Sequence, residues 1–237
     1  VTTKTDTMAC VSFSALNCIE TLIRFHTGKK VNFSDRFLAY MSGTTIHGNF
    51  LFKVADSIRK DGLVLQEEWA TTPDMDWATY YAVPPIELIN KAKNFLNEWT
   101  INYEFIDFTK ESLLKHLKQS PIQVVIPGHA IMLFTTIEQV YKYFDHYDPF
   151  IKERTEPFIS ALKYIITRKP MYKLIKSISF EDTFFIDENG KRILIGDYRT
   201  LANFSGKLWD KEAINLVSDE ELKAIPKVGT VLYSASE

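Results

Sequence analysis

The chain has 237 residues, of which 46% are hydrophobic and 24% are charged, and its formal net charge is −2. These are ordinary values for a globular protein of one large domain, or of one domain with a small appendage. The balanced charge excludes the strongly basic class that binds nucleic acid or anionic membranes. No apolar run approaches the ~20 residues of a membrane span, and the first residues form no signal-peptide pattern.

The early part of the chain predicts helices. Polar residues 1–7 lead into an apolar helix over residues 8 to about 25, for which Asp6 or Thr7 is the expected cap and Gly28 the expected end. Because apolar residues lie nearly all round its first turns, we expect this helix to be buried. Shorter helices are predicted over residues 36–41, 50–60, 85–98 and 111–119, with an irregular connection over 66–85.

The later part predicts mainly strands, over residues 101–108, 122–126, 131–134 and 140–144, the last two as a hairpin-like pair. The charged stretch 149–169 is expected to be mostly helix with a solvated face, and the alternative is a partner-binding arm. From residue 173 onward the pattern is one of short strands, with a turn at Asn189-Gly190. We expect a boundary near Lys169-Pro170, hence domains 1–169 and 170–237, and the α+β class.

Two cysteines are present, Cys10 and Cys18. On one helix they would lie roughly 12 Å apart along its axis, which exceeds the ~7 Å that a disulfide spans between Cα atoms. They are not expected to pair, and Cys18 is expected to be a core residue. Cys10 lies at the predicted N-terminus of the helix, where partial positive charge and free N–H groups favour the nucleophilic thiolate.

A cysteine nucleophile needs a group that holds its proton near neutral pH, and histidine suits that task. Of the five histidines, His129 is best placed, because it follows a predicted strand and a Pro-Gly turn. His116 lies in a charged helical stretch and is expected at the surface. A metal pair of His47 and His146 is disfavoured, since no metal-ligand spacing supports it. We therefore expect neither a metal nor a cofactor.

Two segments resemble the papain family of cysteine peptidases. Around Cys10 the chain reads MACVSFSA (8–15), which is similar to that family's segment on its central helix. Around His129 it reads VVIPGHAI (124–131), which is similar to the family's strand followed by His-Ala. Sixteen residues after this histidine, where the family has an orienting Asn, the chain has Asp145 within YFDHY (143–147). The resemblance covers roughly residues 1–150.

The resemblance implies a papain-like two-lobed fold, with a helical lobe, a β-barrel-like lobe and a cleft between them. It implies that Cys10 is the nucleophile, His129 the base and Asp145 the residue that orients the imidazole. Asp148 is the alternative orienter, or else a turn residue. Tyr147 matches the family's aromatic residue that shields the orienting hydrogen bond from water.

The resemblance also places the substrate and reveals one departure. Gly48 and Asn49 fall at the family's glycine-containing edge, which pairs with substrate backbone. The family's oxyanion glutamine should lie about six residues before the cysteine, yet position 4 is lysine. Either the backbone N–H of Cys10 is helped by Thr7 or Thr5, or the glutamine lay upstream of a processed end. Losing one such donor typically costs about 2.7–4 kcal/mol of transition-state stabilisation.

The C-terminal segment has a resemblance of its own. FFIDENGKRILI (184–195) and SDEEL (218–222) are similar to a small repeat module of extracellular or virion-associated bacterial and phage proteins. Such modules carry two strands joined by an Asn-Gly-Lys turn, and a short helix with an acidic cap. The resemblance implies a small β-rich module, a bacterial or phage origin, a location outside a cell or in a virion, and a wall or virion partner.

The primary hypothesis is a cysteine-type peptidase that hydrolyses a peptide or protein substrate through a thioester acyl-enzyme. The alternative is a papain-like protein without turnover, which binds a peptide or attaches to a wall or a virion. A transpeptidase or self-processing peptidase is a further variant, in which Val1 would be a product end.

Overall fold

The computed structural model describes residues 6–138, 140–169, 173–179, 182–186, 190–196 and 214–231. The chain divides into two compact units, Val1–Lys169 and Pro170–Glu237. The helices of the first unit are α1 (Cys10–Thr27), α2 (Asp35–Met41), α3 (Leu51–Asp61), α4 (Trp77–Tyr80), α5 (Ile86–Glu98) and α6 (Lys110–Leu117). All but the short α4, which interrupts the expected irregular connection, match a predicted helix. Within the described residues, no helix is both long and apolar enough to cross a membrane.

Helix α1 ends as the sequence predicts, but it begins differently. Gly28 follows its last residue with a φ of 71°, a left-handed conformation that glycine adopts without steric cost. The expected cap at its start was wrong, because the N-cap residue is Ala9 and no side chain caps the first turn. Asp6 accepts a 2.9 Å hydrogen bond from the N–H of Met8 instead, and Thr7 is buried.

Six antiparallel strands form the sheet of the first unit, in the order β1-β6-β2-β3-β4-β5. The strands are β1 (Trp99–Phe105), β2 (Ile122–Ile126), β3 (His129–Ile137), β4 (Val140–Phe144), β5 (Ile151–Arg154) and β6 (Ser160–Arg168). The expected hairpin of β3 and β4 is confirmed. Within the described residues β1 and β5 lie at opposite edges, so the β-rich lobe is an open sheet rather than a closed barrel.

The prediction of a helix over residues 149–169 was wrong, since this stretch forms β5 and β6. Strand β6 pairs with β1 on one side and with β2 on the other, and most of its N-terminal half is buried. Even Lys163 is only 8% exposed, and its ammonium group donates to the Gln119 side chain at 2.6 Å. An inner strand has partners on both edges, and its apolar residues suit a sheet interior better than a solvated helix.

The main core lies between α1 and the sheet. One cluster of buried side chains joins the inner face of α1 to β3 and β6 and includes Ala15, Ile19, Leu22, Ala130, Met132, Leu162 and Tyr164. Gln123 of β2 is fully buried within it. Its amide donates to the carbonyl of Val11 and to the hydroxyl of Ser14, both at 2.8 Å. The first turn of α1 is thereby fastened to the sheet.

The second unit is β-rich, as expected. Its elements are β7 (Lys173–Ser177), β8 (Thr183–Ile186), β9 (Arg192–Ile195), β10 (Ile214–Val217), α7 (Asp219–Ala224) and β11 (Lys227–Val231), with the sheet order β10-β7-β8-β9-β11. β8 and β9 are antiparallel neighbours on either side of the predicted turn; Asn189 lies outside the described residues. Ser218 and Glu221 form a reciprocal capping box at the start of α7.

Candidate active site

Cys10 is the first residue of α1, and its position is set by the packing of that helix. It is partly exposed and follows Ala9, which is buried. The first N–H groups of a helix have no acceptor within the helix, so they are available to a negative charge at this end. Cys18, two turns further along, is fully buried, and burial raises the pKa of its thiol. Of the two cysteines, only Cys10 is accessible for chemistry.

His129 opens β3, and the tight turn before it aims its ring toward the helix. Gly128 has a φ of 73°, and His129 pairs with Ile126 across the β2–β3 hairpin. The ring lies mostly buried, with its Nε2 2.9 Å from Oδ1 of Asp145. This bond leaves Nδ1 as the nitrogen available to Cys10, whose side chain interacts with the imidazole.

Asp145 directly follows β4, and its carboxylate is held from several sides. Its side chain is 5% exposed. Besides His129, the N–H of Tyr147 donates to Oδ1 at 3.3 Å, and Lys152 donates to Oδ2 at 2.9 Å. Its own N–H donates to the carbonyl of Phe150 at 2.8 Å. The carboxylate is thus fixed in orientation as well as in position.

The pKa values of this pair shift apart in the directions that favour an ion pair. Burial by itself would lower the pKa of His129, but its hydrogen bonds to Cys10 and Asp145 outweigh burial, so the pKa is raised. Burial would raise the pKa of Asp145, but the hydrogen bonds from Lys152 and His129 outweigh it and lower the pKa to about 2. Asp145 is therefore ionised throughout the neutral range.

Two further aromatic residues cover the pair. The ring of His146 stacks on Phe13 of α1 with centroids 4.5 Å apart, and burial lowers the pKa of His146 to about 4. Tyr147 lies with its ring centroid 5.7 Å from that of His129. Burial raises the pKa of Tyr147 to about 12. Both rings are uncharged near neutral pH.

His129, Asp145 and His146 each offer one atom that could bind a metal ion, and these three atoms lie within 4.8 Å of one another. One carboxylate oxygen is already hydrogen-bonded to His129, however, and the ammonium of Lys152 lies 2.9 Å from the other. A fixed positive charge in contact with the carboxylate opposes the binding of a cation. We interpret the cluster as a hydrogen-bonded network around the imidazole.

A cleft of about 390 Å³ opens beside Cys10 and His129. Among its lining residues are Gly48, Asn49, Phe50, Phe52, Phe105, Val125, Ala130 and Ser160. The predicted substrate-binding positions Gly48 and Asn49 therefore lie at this cleft. The side-chain amide of Asn49 donates to the carbonyl of Ser42 at 3.1 Å and to the hydroxyl of Thr44 at 3.1 Å. This amide is used within the loop, as are the N–H and the carbonyl of Gly48, which pair with Thr45. The neighbouring aromatic rings of Phe50 and Phe52 also line the cleft at this edge.

Of the two oxyanion donors expected from the sequence, Cys10 lines the cleft and Thr7 does not. The backbone N–H of Cys10 lies at the helix start. Thr7 is buried and does not line the cleft, and its carbonyl accepts a 2.7 Å hydrogen bond from Tyr81. Thr5 and position 4 lie outside the described residues. Asp148, the alternative orienter, lies in the loop beyond Asp145, which is the residue that bonds His129.

Sequence reasoning missed two residues of this site. Lys152 lies in the stretch that the sequence predicts to be a helix with a solvated face. The alternation in residues 151–154 is also compatible with an edge strand, which the structure shows as β5 paired with β4. Gln123 was read only as part of a buried strand. A glutamine inside an otherwise apolar run indicates a buried side chain that needs hydrogen-bond partners. Its partners on α1, Val11 and Ser14, are distant in sequence, so the sequence alone does not identify them.

Several solved cysteine proteases share this fold. The chain is similar to a cysteine protease of Carica candamarcensis in complex with E-64, with a TM-score of 0.53 and 11% identity over 69% of this chain and 91% of that one. It is similar to xylellain, a cysteine protease from Xylella fastidiosa, with a TM-score of 0.57 and 14% identity over 68% and 81%. Bromelain from Ananas comosus in complex with the E64 inhibitor gives a TM-score of 0.51 and 12% identity over 69% and 92%.

At these identities the likeness shows the fold, which is papain-like, two-lobed and of the α+β class. No protein-family model matches the sequence, and no curated protein matches it significantly.

Proposed function

We propose that this protein is a cysteine peptidase whose nucleophile is Cys10, with His129 as its general base and acid and Asp145 as the residue that orients the imidazole. The single observation that carries the proposal is the position of His129, whose imidazole interacts with the side chain of Cys10 on one side and is hydrogen-bonded to the buried carboxylate of Asp145 on the other. This is the nucleophile, base and orienter arrangement that activates a thiol. The solved cysteine proteases of the same fold support it.

The reaction follows from the placement of these groups. The Cys10 thiolate attacks the scissile carbonyl carbon, and the resulting oxyanion is stabilised by the N–H of Cys10 at the start of α1. The His129 imidazolium gives its proton to the leaving amine, the C–N bond breaks, and a thioester acyl-enzyme remains. Water then attacks the thioester while His129 takes its proton, and the carboxylic acid product leaves as the thiolate is regenerated. Asp145 holds the ring in the productive orientation in both steps.

The proposed substrate is an extended peptide or a protein segment lying in the cleft. The position of Gly48 and Asn49 at the cleft and the apolar residues that line it support this class of ligand. Tyr147 is proposed to shield the His129–Asp145 bond from water. No metal or cofactor takes part in the proposed steps.

We further propose that residues 170–237 form a separate module that attaches the peptidase to a wall or a virion of bacterial or phage origin, outside the cell. The support is its own sheet and the capping box of α7, which agree with the strands and the capped helix of the resemblance. Binding of the isolated residues 170–237 to bacterial cell-wall preparations, compared with binding of the full chain, tests this part.

A second candidate function is a papain-like binding protein without turnover. It is favoured by one observation, namely that Thr7 does not line the cleft. The N–H of Cys10 is then the one assigned oxyanion donor, in place of the two that the resemblance implies. Cleavage of unfolded proteins and of peptide libraries by the wild-type chain, measured against Cys10→Ala, separates the two. Cleavage that Cys10→Ala abolishes supports the peptidase, whereas peptide binding equal in both proteins with no cleavage supports the binding protein.

A further inference from the structure

The carboxylate of Asp145 is shared between a histidine and a lysine. Its Oδ1 bonds Nε2 of His129 and its Oδ2 bonds Nζ of Lys152, both at 2.9 Å. The hairpin of β4 and β5 creates this contact, because Lys152 pairs with Tyr143 across the two strands, two residues before Asp145. The side chain of Lys152 is 25% exposed and that of Asp145 only 5%. The lysine therefore approaches from the solvent side and completes the burial of the carboxylate.

A charged orienter creates a difficulty that a neutral one does not. In the papain family, which this chain resembles, the residue at this position is an uncharged Asn. A lone buried carboxylate next to His129 would stabilise the imidazolium strongly. An over-stabilised imidazolium is a weaker acid, and it would transfer its proton to a leaving amine less readily. A second positive charge on the far oxygen offsets this effect.

We propose that Lys152 is a positioning residue of the catalytic site, which neutralises and orients Asp145 so that the Asp145–Lys152 pair acts on His129 as a neutral amide would. This inference deepens the proposed peptidase function and rests on it. It explains why an aspartate can stand at the orienting position in this chain. The lowered pKa of Asp145, to which the hydrogen bond from Lys152 contributes, agrees with this role.

Lys152 is the only lysine or arginine that forms an ion pair with Asp145 among the described residues. The neighbouring basic side chains of β4 and β5 are engaged elsewhere, since Lys142 pairs with Glu153 at 2.8 Å and Arg154 donates to the carbonyl of Glu156. The remaining titratable groups around the carboxylate and imidazole are His146 and Tyr147 of the same loop, Cys10 of α1, and Asp6 before α1. His146 is neutral near neutral pH and supplies no compensating charge.

The test is a double-mutant cycle of Lys152→Met, Asp145→Asn and the double variant, read out as the pH profile of kcat/KM. The alkaline limb of that profile reports loss of the proton from His129. Lys152→Met leaves the carboxylate uncompensated and moves the limb to higher pH. Asp145→Asn leaves the lysine uncompensated, moves the limb to lower pH and lowers kcat/KM. The double variant, with a neutral residue at each position, returns the limb close to that of the wild type.

Lys142→Met is the matched control, because it breaks a lysine–carboxylate pair across the same two strands without touching His129. It leaves the alkaline limb in place. If Lys152 only fastened β5 to β4, both lysine variants would lower the melting temperature and neither would move the limb, and the proposal would be overturned.

The titration of the His129 ring is measured in parallel by nitrogen-15 NMR of histidine-labelled protein, with His129→Gln to assign the signal. This readout needs no turnover, so it separates the failure of this inference from the failure of the peptidase proposal. A ring titration that shifts upward in Lys152→Met supports the role of Lys152 even if no substrate is cleaved. A ring titration that is the same in wild type and Lys152→Met overturns the role, whatever the activity.

Discussion

The buried amide of Gln123 donates a 2.8 Å hydrogen bond to the hydroxyl of Ser14, and this hydroxyl in turn donates to the carbonyl of Cys10 at 2.8 Å. The strand that precedes His129 is thereby connected, through two side chains, to the backbone of the proposed nucleophile. The hydroxyl of Tyr164 donates to the side-chain oxygen of Gln123 at 3.0 Å. The separation of Cys10 and His129 depends on this buried network, since each residue belongs to a different element.

Gln123→Ala is expected to impair stability and activity together. It removes the hydrogen bonds to Ser14 and to the carbonyl of Val11 and leaves the buried hydroxyl of Tyr164 without its acceptor, a loss that costs about 1–3 kcal/mol for a buried group. Tyr164→Phe removes one hydroxyl only and is expected to cost about 1 kcal/mol. Urea unfolding measures the free energies, and kcat/KM measures the alignment of the site. Tyr103→Phe, which loses a surface bond to Asp56, is the control; a similar cost for Tyr103→Phe and Gln123→Ala would contradict the prediction.

Cys10 is expected to react with iodoacetamide at about pH 5 far faster than an ordinary thiol does. The physical reason is the imidazolium of His129, which stabilises the thiolate when most free thiols are protonated. His129→Ala is expected to slow the reaction at this pH roughly 10²-fold or more, toward the rate of an unactivated thiol. Peptide mapping by mass spectrometry identifies the modified residue.

Cys18 is the internal control for this experiment, because it is fully buried and stays unlabelled while the protein is folded. Labelling of Cys10 that is slow at about pH 5 and equal in wild type and His129→Ala would mean an unactivated thiol. That outcome would contradict the prediction and favour the second candidate function, a binding protein without turnover.

His146 is expected to make the protein less stable in mild acid. Burial lowers its pKa from 6.5 to about 4 in the folded state, so between these values the unfolded chain binds a proton that the folded chain does not. Stability therefore falls as the pH drops from about 6.5 toward 4, by up to roughly 3 kcal/mol from this group. His146→Phe retains stacking on Phe13 and removes the loss.

The measurement is the free energy of unfolding of wild type and His146→Phe at several pH values between 4 and 7. The difference between the two proteins is the quantity to follow, because Glu20 acts in the opposite direction. Burial raises the pKa of Glu20 to about 7, so its contribution to stability increases as the pH falls through this range. A difference that does not change with pH would contradict the prediction.

Gly62 is expected to tolerate no side chain. It caps α3 with a φ of 81°, and a Cβ at this position would overlap the backbone carbonyl of Ala92 in α5. Gly62→Ala is expected to cost more than about 4 kcal/mol, since two backbone segments must separate. Gly28→Ala, whose φ of 71° is similar but whose surroundings are open, is the matched control at about 1–2 kcal/mol. Thermal unfolding measures both, and equal costs would refute the clash.

Features that depend on nearby residues could be predicted from the sequence. The end of α1 at Gly28 and the β3–β4 hairpin both follow from local residue types and periodicity. The proposed site residues Cys10 and His129 were likewise chosen from their positions at a predicted helix start and a predicted strand end.

Features that depend on distant residues could not be predicted in this way. Residues 149–169 carry charges at spacings compatible with a helix, and only their pairing with β1, β2 and β4 makes them strands. The contact of Lys152 with Asp145 was hidden by the same error. The aromatic lining of the cleft at Phe50 and Phe105 comes from the start of α3 and the end of β1, whose proximity no single segment encodes.

The order of strands in the first sheet has a consequence for folding during synthesis. Strand β6 is the last of the six to be synthesised, yet it lies between β1 and β2 and packs against α1, whose residues are synthesised first. Until residue 168 has left the ribosome, α1 can therefore pack against β3 but lacks the part of its core that β6 supplies. Contacts between such distant parts of a chain form slowly. The cleft, which Ser160 of β6 helps to line, would be completed only after this strand has joined the sheet, and the proposed peptidase activity could begin only then.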